Sequence, residues 1–311
     1  MQKSIVYVDA SSLKDCAGCF RKYYLNNLKG YNLLEEKEYK MAYGTGFHKF
    51  AENFYSGVSV KDSIQIAVDY YSEHLKGIIF PEDEFRTPSH LIQVCKKYAE
   101  SFGSDVIVPV KNPVDGKPLV EAKFAIPWFH TSLYEFILCG TIDLVCEYDG
   151  ELCLVDHKTT GTYLGNSDGF LKGFELDIQA ALYCYIYKSI NNLEKAPVFL
   201  VNGVFIKKPT DKAAKSGYFD GVAFKRSSVI YYSNEKLQDF SNWLEKWRFN
   251  MLSLLEVEES ALYDQPNFAF CKNSFGLCKY FPICSAPVDC RKGILEYSYL
   301  QKEYNPLKFR D

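Results

Sequence analysis

Apolar positions along the chain recur with two different periods, and the change of period divides it. An N-terminal helix capped by Ser11 or Ser12 is predicted through Leu13–Leu25, weakened by Gly18. Helical spacing resumes near Tyr39, and residues 59–76 and 89–103 read as further helices around the acidic loop Pro81-Glu82-Asp83-Glu84. A turn-rich stretch from Pro109 to Pro118 then closes the helical part. Beyond it, strands are expected at Leu119–Ile126 and, as a continuation or an edge excursion, at 129–138. Two β-branched runs between Gly140 and Lys158 flank Tyr148-Asp149-Gly150, whose Asp-Gly pair suits a hairpin turn. A loop at 161–174 leads to a helix over 176–190. Strands follow at 198–207 and 227–232, then a long helix at 234–258 with Trp243 and Trp247 as packing residues.

This order predicts an α/β protein: a mainly helical part over 1–110, a core over 118–260 and a cysteine-rich end over 261–311, together one unit. The 311 residues, 47% hydrophobic, are enough for a sizeable core. A formal charge of -3 argues against wholesale attraction to nucleic acid but leaves room for a local basic groove. No apolar run is long enough to span a bilayer and no signal-peptide pattern opens the chain, so a cytoplasmic or other reducing location is expected, with no membrane partner.

Polar residues that interrupt the strands carry the candidate chemistry. Asp143 sits in an otherwise apolar strand, and Asp156 with Lys158 ends the next. A buried carboxylate costs several kcal/mol unless compensated. Strand alternation puts Asp156 and Lys158 on one face and His157 on the other. Asp143, Asp156 and the backbone carbonyl of His157 would supply oxygen ligands to Mg²⁺ or Mn²⁺, with Lys158 beside the reacting phosphodiester. An acidic turn with a strand-end lysine is the plain alternative. Glu121 is a possible further acid. His48 and Glu52 fall one turn apart on the second helix, an arrangement also common on ordinary helix surfaces.

Taken together, Gly140-Thr141-Ile142-Asp143, Asp156-His157-Lys158 and Gln179-Ala180-Ala181-Leu182-Tyr183 resemble the GxxD, (D/E)xK and QxxxY motifs of RecB-like nucleases of the PD-(D/E)XK superfamily. Gly46-Phe47-His48 with Glu52 resembles their preceding helical motif. The resemblance runs from Cys19 through Cys284. It implies a restriction-endonuclease-like core with helical N-terminal additions, His48, Asp143 and Asp156 as metal ligands, and Lys158 as the catalytic lysine. Gln179 and Tyr183 would orient DNA, water or the catalytic groups, and Glu52 would support His48. Asp156 stands where many relatives carry glutamate, which keeps the carboxylate and shortens its reach. The implied activity is a metal-dependent DNA exonuclease preferring single-stranded ends, with recombination, repair or CRISPR-adaptation proteins as partners. A non-catalytic DNA-binding or assembly protein, another metal-dependent hydrolase and a structure-specific endonuclease are the alternatives. No helicase P-loop is recognisable, so ATP-driven unwinding would need a partner.

The eleven cysteines divide in two. Cys95, Cys139, Cys146, Cys153 and Cys184 lie in apolar segments as small hydrophobes. Cys16 and Cys19 near the start, with Cys271, Cys278, Cys284 and Cys290 near the end, read as metal ligands rather than a disulfide framework. Cys19-Phe20-Arg21-Lys22-Tyr23 and the Cys271, Cys278, Cys284 triplet resemble the segments of iron-sulfur nucleases, including CRISPR-adaptation nucleases and the AddB nuclease domain. That resemblance implies a [4Fe–4S] clasp on Cys19, Cys271, Cys278 and Cys284, with zinc or free thiols as alternatives and Cys16 and Cys290 in reserve.

Overall fold

The computed structural model describes residues 3–34, 39–78, 80–255, 266–273 and 276–308. In chain order, β1 (Ser4–Val8), α1 (Ala10–Gly18), α2 (Phe20–Tyr23) and β2 (Tyr31–Leu33) precede three longer helices, α3 (Tyr39–Tyr55), α4 (Val60–His74) and α5 (Pro88–Phe102). The strands β3 (Val108–Pro109), β4 (Val120–His130), β5 (Tyr134–Tyr148) and β6 (Glu151–Thr160) follow. Next come α6 (Ser167–Lys172), α7 (Ile178–Ile190), β7 (Val198–Ile206), α8 (Asp211–Ser216), β8 (Val222–Arg226) and α9 (Asn234–Leu255). The C-terminal part holds β9 (Lys272–Asn273), β10 (Gly276–Leu277), α10 (Phe281–Ser285), α11 (Val288–Ser298) and β11 (Tyr299–Gln301). Backbone contacts group the chain into two compact units. One comprises Met1–Glu36, Lys123–Gly140 and Leu237–Asp311, the other Lys37–Ala122 and Thr141–Lys236.

In the first unit, β1 pairs in parallel with Tyr134–Leu138 of β5. Asp9, rather than Ser11 or Ser12, caps α1: its carboxylate accepts the Ser12 N–H at 2.8 Å, and its own N–H donates to Ser12 Oγ at 2.7 Å. The helix predicted to run to Leu25 breaks at Cys19, whose extended backbone (φ -155, ψ 110) separates α1 from α2. The C-terminal part is held by antiparallel pairing of β11 with β2 and by Tyr280, whose hydroxyl donates to the Tyr31 carbonyl. Gly30 at φ +68 is needed there, because a Cβ would lie 1.7 Å from the Lys302 carbonyl oxygen.

The second unit carries the expected hairpin. Asp149 and Gly150 both take positive φ (51 and 75), and Leu144–Tyr148 pairs antiparallel with Glu151–Val155. β6 continues in parallel register with β7, with Asp156 beside Val201, His157 beside Asn202 and Lys158 beside Gly203. β7 then pairs antiparallel with β8. The expected strand at 227–232 is displaced to Val222–Arg226, and Ile230 makes only an isolated bridge to Phe199. The segment read as a loop at 161–174 is partly helical, through α6 and short 3₁₀ turns. The predicted end of the long helix, beyond Leu255, lies outside the described residues.

Helices α3, α4 and α5 bring Phe47, Phe50, Tyr71, Leu91 and Tyr98 into one core with Leu144, Val155 and Leu200 of the sheet. Gly46 permits the close approach, since a Cβ there would meet Leu91 Cδ2 at 3.1 Å and the Ala67 carbonyl at 3.4 Å. Fully burying one such aromatic or leucine side chain contributes about 1.5–3 kcal/mol. That is enough to hold α3 against the strands that carry the acids. Among the described residues, no helix is long and apolar enough to cross a membrane.

One buried polar pair in this core sets a pH dependence. His90 Nε2 donates to the Lys207 carbonyl at 3.1 Å, leaving Nδ1 to accept from the Tyr43 hydroxyl at 2.7 Å. Burial pushes the imidazole below its ordinary 6.5, despite its carbonyl contacts. The unfolded chain therefore binds a proton here more readily than the folded one. The contribution is full above pH 6.5 and is lost as pH falls through the lower folded-state value. Urea unfolding of wild type and His90→Phe across that range is expected to show a wild-type stability loss on acidification that the variant lacks.

Candidate metal centre and active site

Three elements of the second unit converge on one point. His48 comes from the third turn of α3, Glu121 from the start of β4, and Asp143 from β5. The His48 Nδ1 lies 3.4 Å from Asp143 Oδ2 and 3.6 Å from Glu121 Oε1. One ligand atom from each of the three lies within 4.8 Å of the others. An imidazole and two carboxylates suit a divalent cation that favours oxygen and accepts nitrogen, Mn²⁺ above Mg²⁺. Glu121 reaches this point through a left-handed backbone (φ 48), unusual for a non-glycine residue and the kind of local strain that gathers at functional sites.

Asp143 is held by more than the triad. Past the Leu144–Val155 pair, the Asp143 carboxylate accepts the His157 backbone N–H at 2.6 Å. Strand β6 thus delivers a main-chain donor to one side of Asp143, and α3 delivers an imidazole.

Asp156 makes a second group beside the first. Lys158 Nζ lies 3.0 Å from its Oδ1 and 2.9 Å from its Oδ2, and also donates to Gln179 Oε1 at 3.0 Å. Gln179 Nε2 closes the triangle by donating to Asp156 Oδ1 at 2.8 Å. Asp177 places Gln179 by capping α7, its carboxylate accepting the Gln179 N–H at 2.7 Å. Burial pushes the Asp156 carboxyl above its ordinary 3.8; nearby Asp143 adds to the rise, and Lys158 opposes it. Three acids thus face one lysine and a histidine across a largely dry site, an imbalance that a cation relieves.

His48 and Asp143 meet as metal-ligand candidates, and Glu121, an uncertain acid in the sequence, joins them. Asp156 is outside that group and engages Lys158 and Gln179. His157 contributes its backbone amide to Asp143, while its ring lies on the helix-facing side, stacked on Tyr55 with centroids 5.7 Å apart. Tyr183, one turn beyond Gln179, is buried in α7. Glu52 pairs with Lys49 at 3.3 Å along α3 instead of supporting His48. Asn202 and Tyr98, which reach the His157 ring, carried no sequence signal, because only the parallel pairing of β6 with β7 and the seating of α5 bring them there.

The iron-sulfur clasp is overturned. Among the described residues, the only grouping of three or more His, Cys, Asp or Glu ligand atoms within 4.8 Å is His48, Glu121 and Asp143, and it contains no cysteine. Cys19, Cys271, Cys278 and Cys284 are free thiols, none fully buried. Two of them contact Asn267: Cys19 Sγ accepts the Asn267 N–H at 3.5 Å, and Cys271 Sγ donates to its carbonyl at 3.8 Å. Burial, with the neighbouring Cys284 and Cys19, pushes the Cys271 thiol up, and burial does the same for Cys278. Among the described residues, the crowding of cysteines at the two ends of the sequence yields no group of three ligand atoms within 4.8 Å.

The matching family is the PD-(D/E)XK nuclease superfamily, whose model covers residues 8–285. The chain belongs to that superfamily. Among curated proteins, none matches it significantly.

Saturating Mn²⁺ is expected to stabilise the wild-type protein, by about 2.7 kcal/mol at a hundred times Kd. Asp143→Asn and Glu121→Gln should abolish most of the corresponding rise in Tm. Lys158→Met, which spares the triad, should retain it. A rise that survives both carboxylate substitutions would place the ion elsewhere.

Proposed function

We propose that the protein is a divalent-metal-dependent DNA nuclease, an exonuclease acting on single-stranded ends. The observation that carries this reading is Lys158 held between Asp156 and Gln179 beside the His48, Glu121 and Asp143 group. The residues present suit a divalent cation, which when bound supplies Lewis-acid stabilisation of the charge that develops on a phosphodiester. His48, Glu121 and Asp143 would hold it, and the His157 amide fixes one oxygen of Asp143. Gln179 fixes the Lys158 ammonium at a stated point, its Oε1, so that the amine stands ready to orient the attacking water or to neutralise charge on the phosphate. Asp156 balances that ammonium.

The segment between β6 and α7 supports the single-strand preference. It leaves the sheet just after Lys158 and returns with the Phe174 ring 6.0 Å from Lys158 Nζ. Along it Tyr163 is 77% exposed and Leu176 is 86% exposed. An open tyrosine face on the segment that follows the Lys158 strand suits unstacked bases, since every base offers a π-face. The reading of DNA over RNA, and of ends over internal bonds, rests on the resemblance to RecB-like enzymes.

The deciding assay compares wild type with Asp143→Ala, Asp156→Ala and Lys158→Met. The substrates are 5′- and 3′-labelled single strands, duplexes, RNA and closed single-stranded circles, each with Mn²⁺ or Mg²⁺. Wild type should release label progressively from one end of single strands, and Lys158→Met should be slower by about 10²–10⁴-fold. Cleavage of circles would make the enzyme an endonuclease, and equal residual activity in wild type and all variants would remove the nuclease assignment.

Tyr163→Ala is expected to raise KM for a single strand several-fold while leaving KM for a duplex unchanged. Equal effects on both substrates would take Tyr163 out of base recognition.

A further inference from the structure

Behind the metal-ligand candidates, on the helix-facing side of β6, lies a second polar group that no catalytic role requires. Asn202 is fully buried in β7, directly beside His157 in the parallel register. Its Nδ2 donates to the Tyr98 hydroxyl at 2.5 Å and lies 3.3 Å from His157 Nδ1. An amide nitrogen has two protons and no lone pair to offer, so both partners act as acceptors. With Asn202 Nδ2 as the donor, His157 Nδ1 is the acceptor. The Tyr98 hydroxyl meets the Tyr55 hydroxyl at 2.8 Å, and the Tyr55 ring stacks on His157 at an interplanar angle of 15°.

Two covalent steps join this group to the metal-ligand candidates. The His157 ring is clamped between Asn202 and Tyr55, and the backbone N–H of the same residue donates to Asp143 Oδ2. Tyr55 and His48 lie seven residues apart on α3, two turns along one face. One helix thus supplies both the ring that stacks on His157 and the imidazole that faces Asp143. The clamp on the ring thus adds to the β6–β7 pairing in fixing the residue whose peptide meets Asp143.

We infer that Asn202 is a positioning residue for the metal site, acting through the His157 ring to set the peptide that orients the Asp143 carboxylate. The inference rests on the reading of His48, Glu121 and Asp143 as the cation site. A purely structural Asn202 would stabilise the core and leave cation affinity alone. A positioning Asn202 makes cation affinity depend on its two donated hydrogen bonds. Partners that orient metal ligands without touching the metal change affinity by about 10–100-fold when lost.

The test measures Mn²⁺ binding directly, by the loss of the free-ion electron paramagnetic resonance signal on titration of the whole chain, so cleavage is not needed. Variants are Asn202→Leu, of similar volume without donors, and Asn202→Ser, which keeps a single shorter donor. Tyr98→Phe removes one acceptor while sparing the His157 contact. Thermal unfolding is recorded for each. Asn202→Leu is expected to weaken Mn²⁺ binding by about ten-fold or more, with Asn202→Ser and Tyr98→Phe between it and wild type. His157→Leu should weaken binding similarly, and the double variant with Asn202→Leu should be no weaker than the worse single one, because both act through one contact. Lowered Tm with unchanged Mn²⁺ affinity across the folded variants would overturn the inference. If Asn202→Leu fails to fold, Asn202→Ser and Tyr98→Phe decide by the same criterion. Absence of stoichiometric Mn²⁺ binding in wild type would instead defeat the cation-site reading beneath it.

Discussion

A carboxylate buried within a sheet must be given donors or a cation, and the second unit is arranged around that demand at Asp143. The strand supplies its position, the His157 amide supplies one donor at 2.6 Å, and His48 approaches at 3.4 Å from the helical layer. Losing one partner of a buried charge costs about 3–5 kcal/mol, so the placement of α3 against β5 and β6 is not free to drift. Close packing enforces it: Gly46 lets α3, α4 and α5 approach, and Phe47, Phe50 and Tyr98 fill the space behind the site. The charged group and the apolar core are two sides of one constraint.

The same logic accounts for the pairing of Lys158 with Gln179. A lysine at a strand end would ordinarily extend into water, where a surface ion pair contributes little. Here Asp156 is buried and its carboxyl is pushed upward by that burial, and the Lys158 ammonium offsets part of the rise. Gln179 bridges both and is fixed in turn by the Asp177 cap at the start of α7. A lysine held by two partners has already given up much of its side-chain freedom.

Much of this was legible because the relevant contacts are local or carried by a recognisable spacing. Asp149-Gly150 specified a turn with two left-handed residues, and the apolar runs on either side specified its strands. Asp143, Asp156 and Lys158 stood out as polar residues interrupting or ending apolar strands, and Gln179 stood out through the QxxxY resemblance. Glu121 was ambiguous because an acid at a strand edge has no distinguishing pattern, and its left-handed backbone is visible only once the chain is folded. Strand β8 was misplaced by several residues, since Val222–Arg226 and Ser227–Tyr232 have similar β-forming composition and only pairing with β7 selects between them. Asn202 and Tyr98 lie far apart in sequence, 104 residues, and nothing local announces their contact. The cysteines failed in the opposite sense. Their spacing announced a site, but convergence of ligand atoms is a three-dimensional property, and only the His48, Glu121 and Asp143 group has it among the described residues.

Crystals of the protein soaked in Mn²⁺, with diffraction recorded on both sides of the manganese absorption edge, test the central claim most directly. The expected result is one strong anomalous peak within bonding distance of His48, Glu121 and Asp143, with Lys158 still bridging Asp156 and Gln179. A peak elsewhere, or a site that stays empty at millimolar Mn²⁺ with those three side chains in place, would contradict the account.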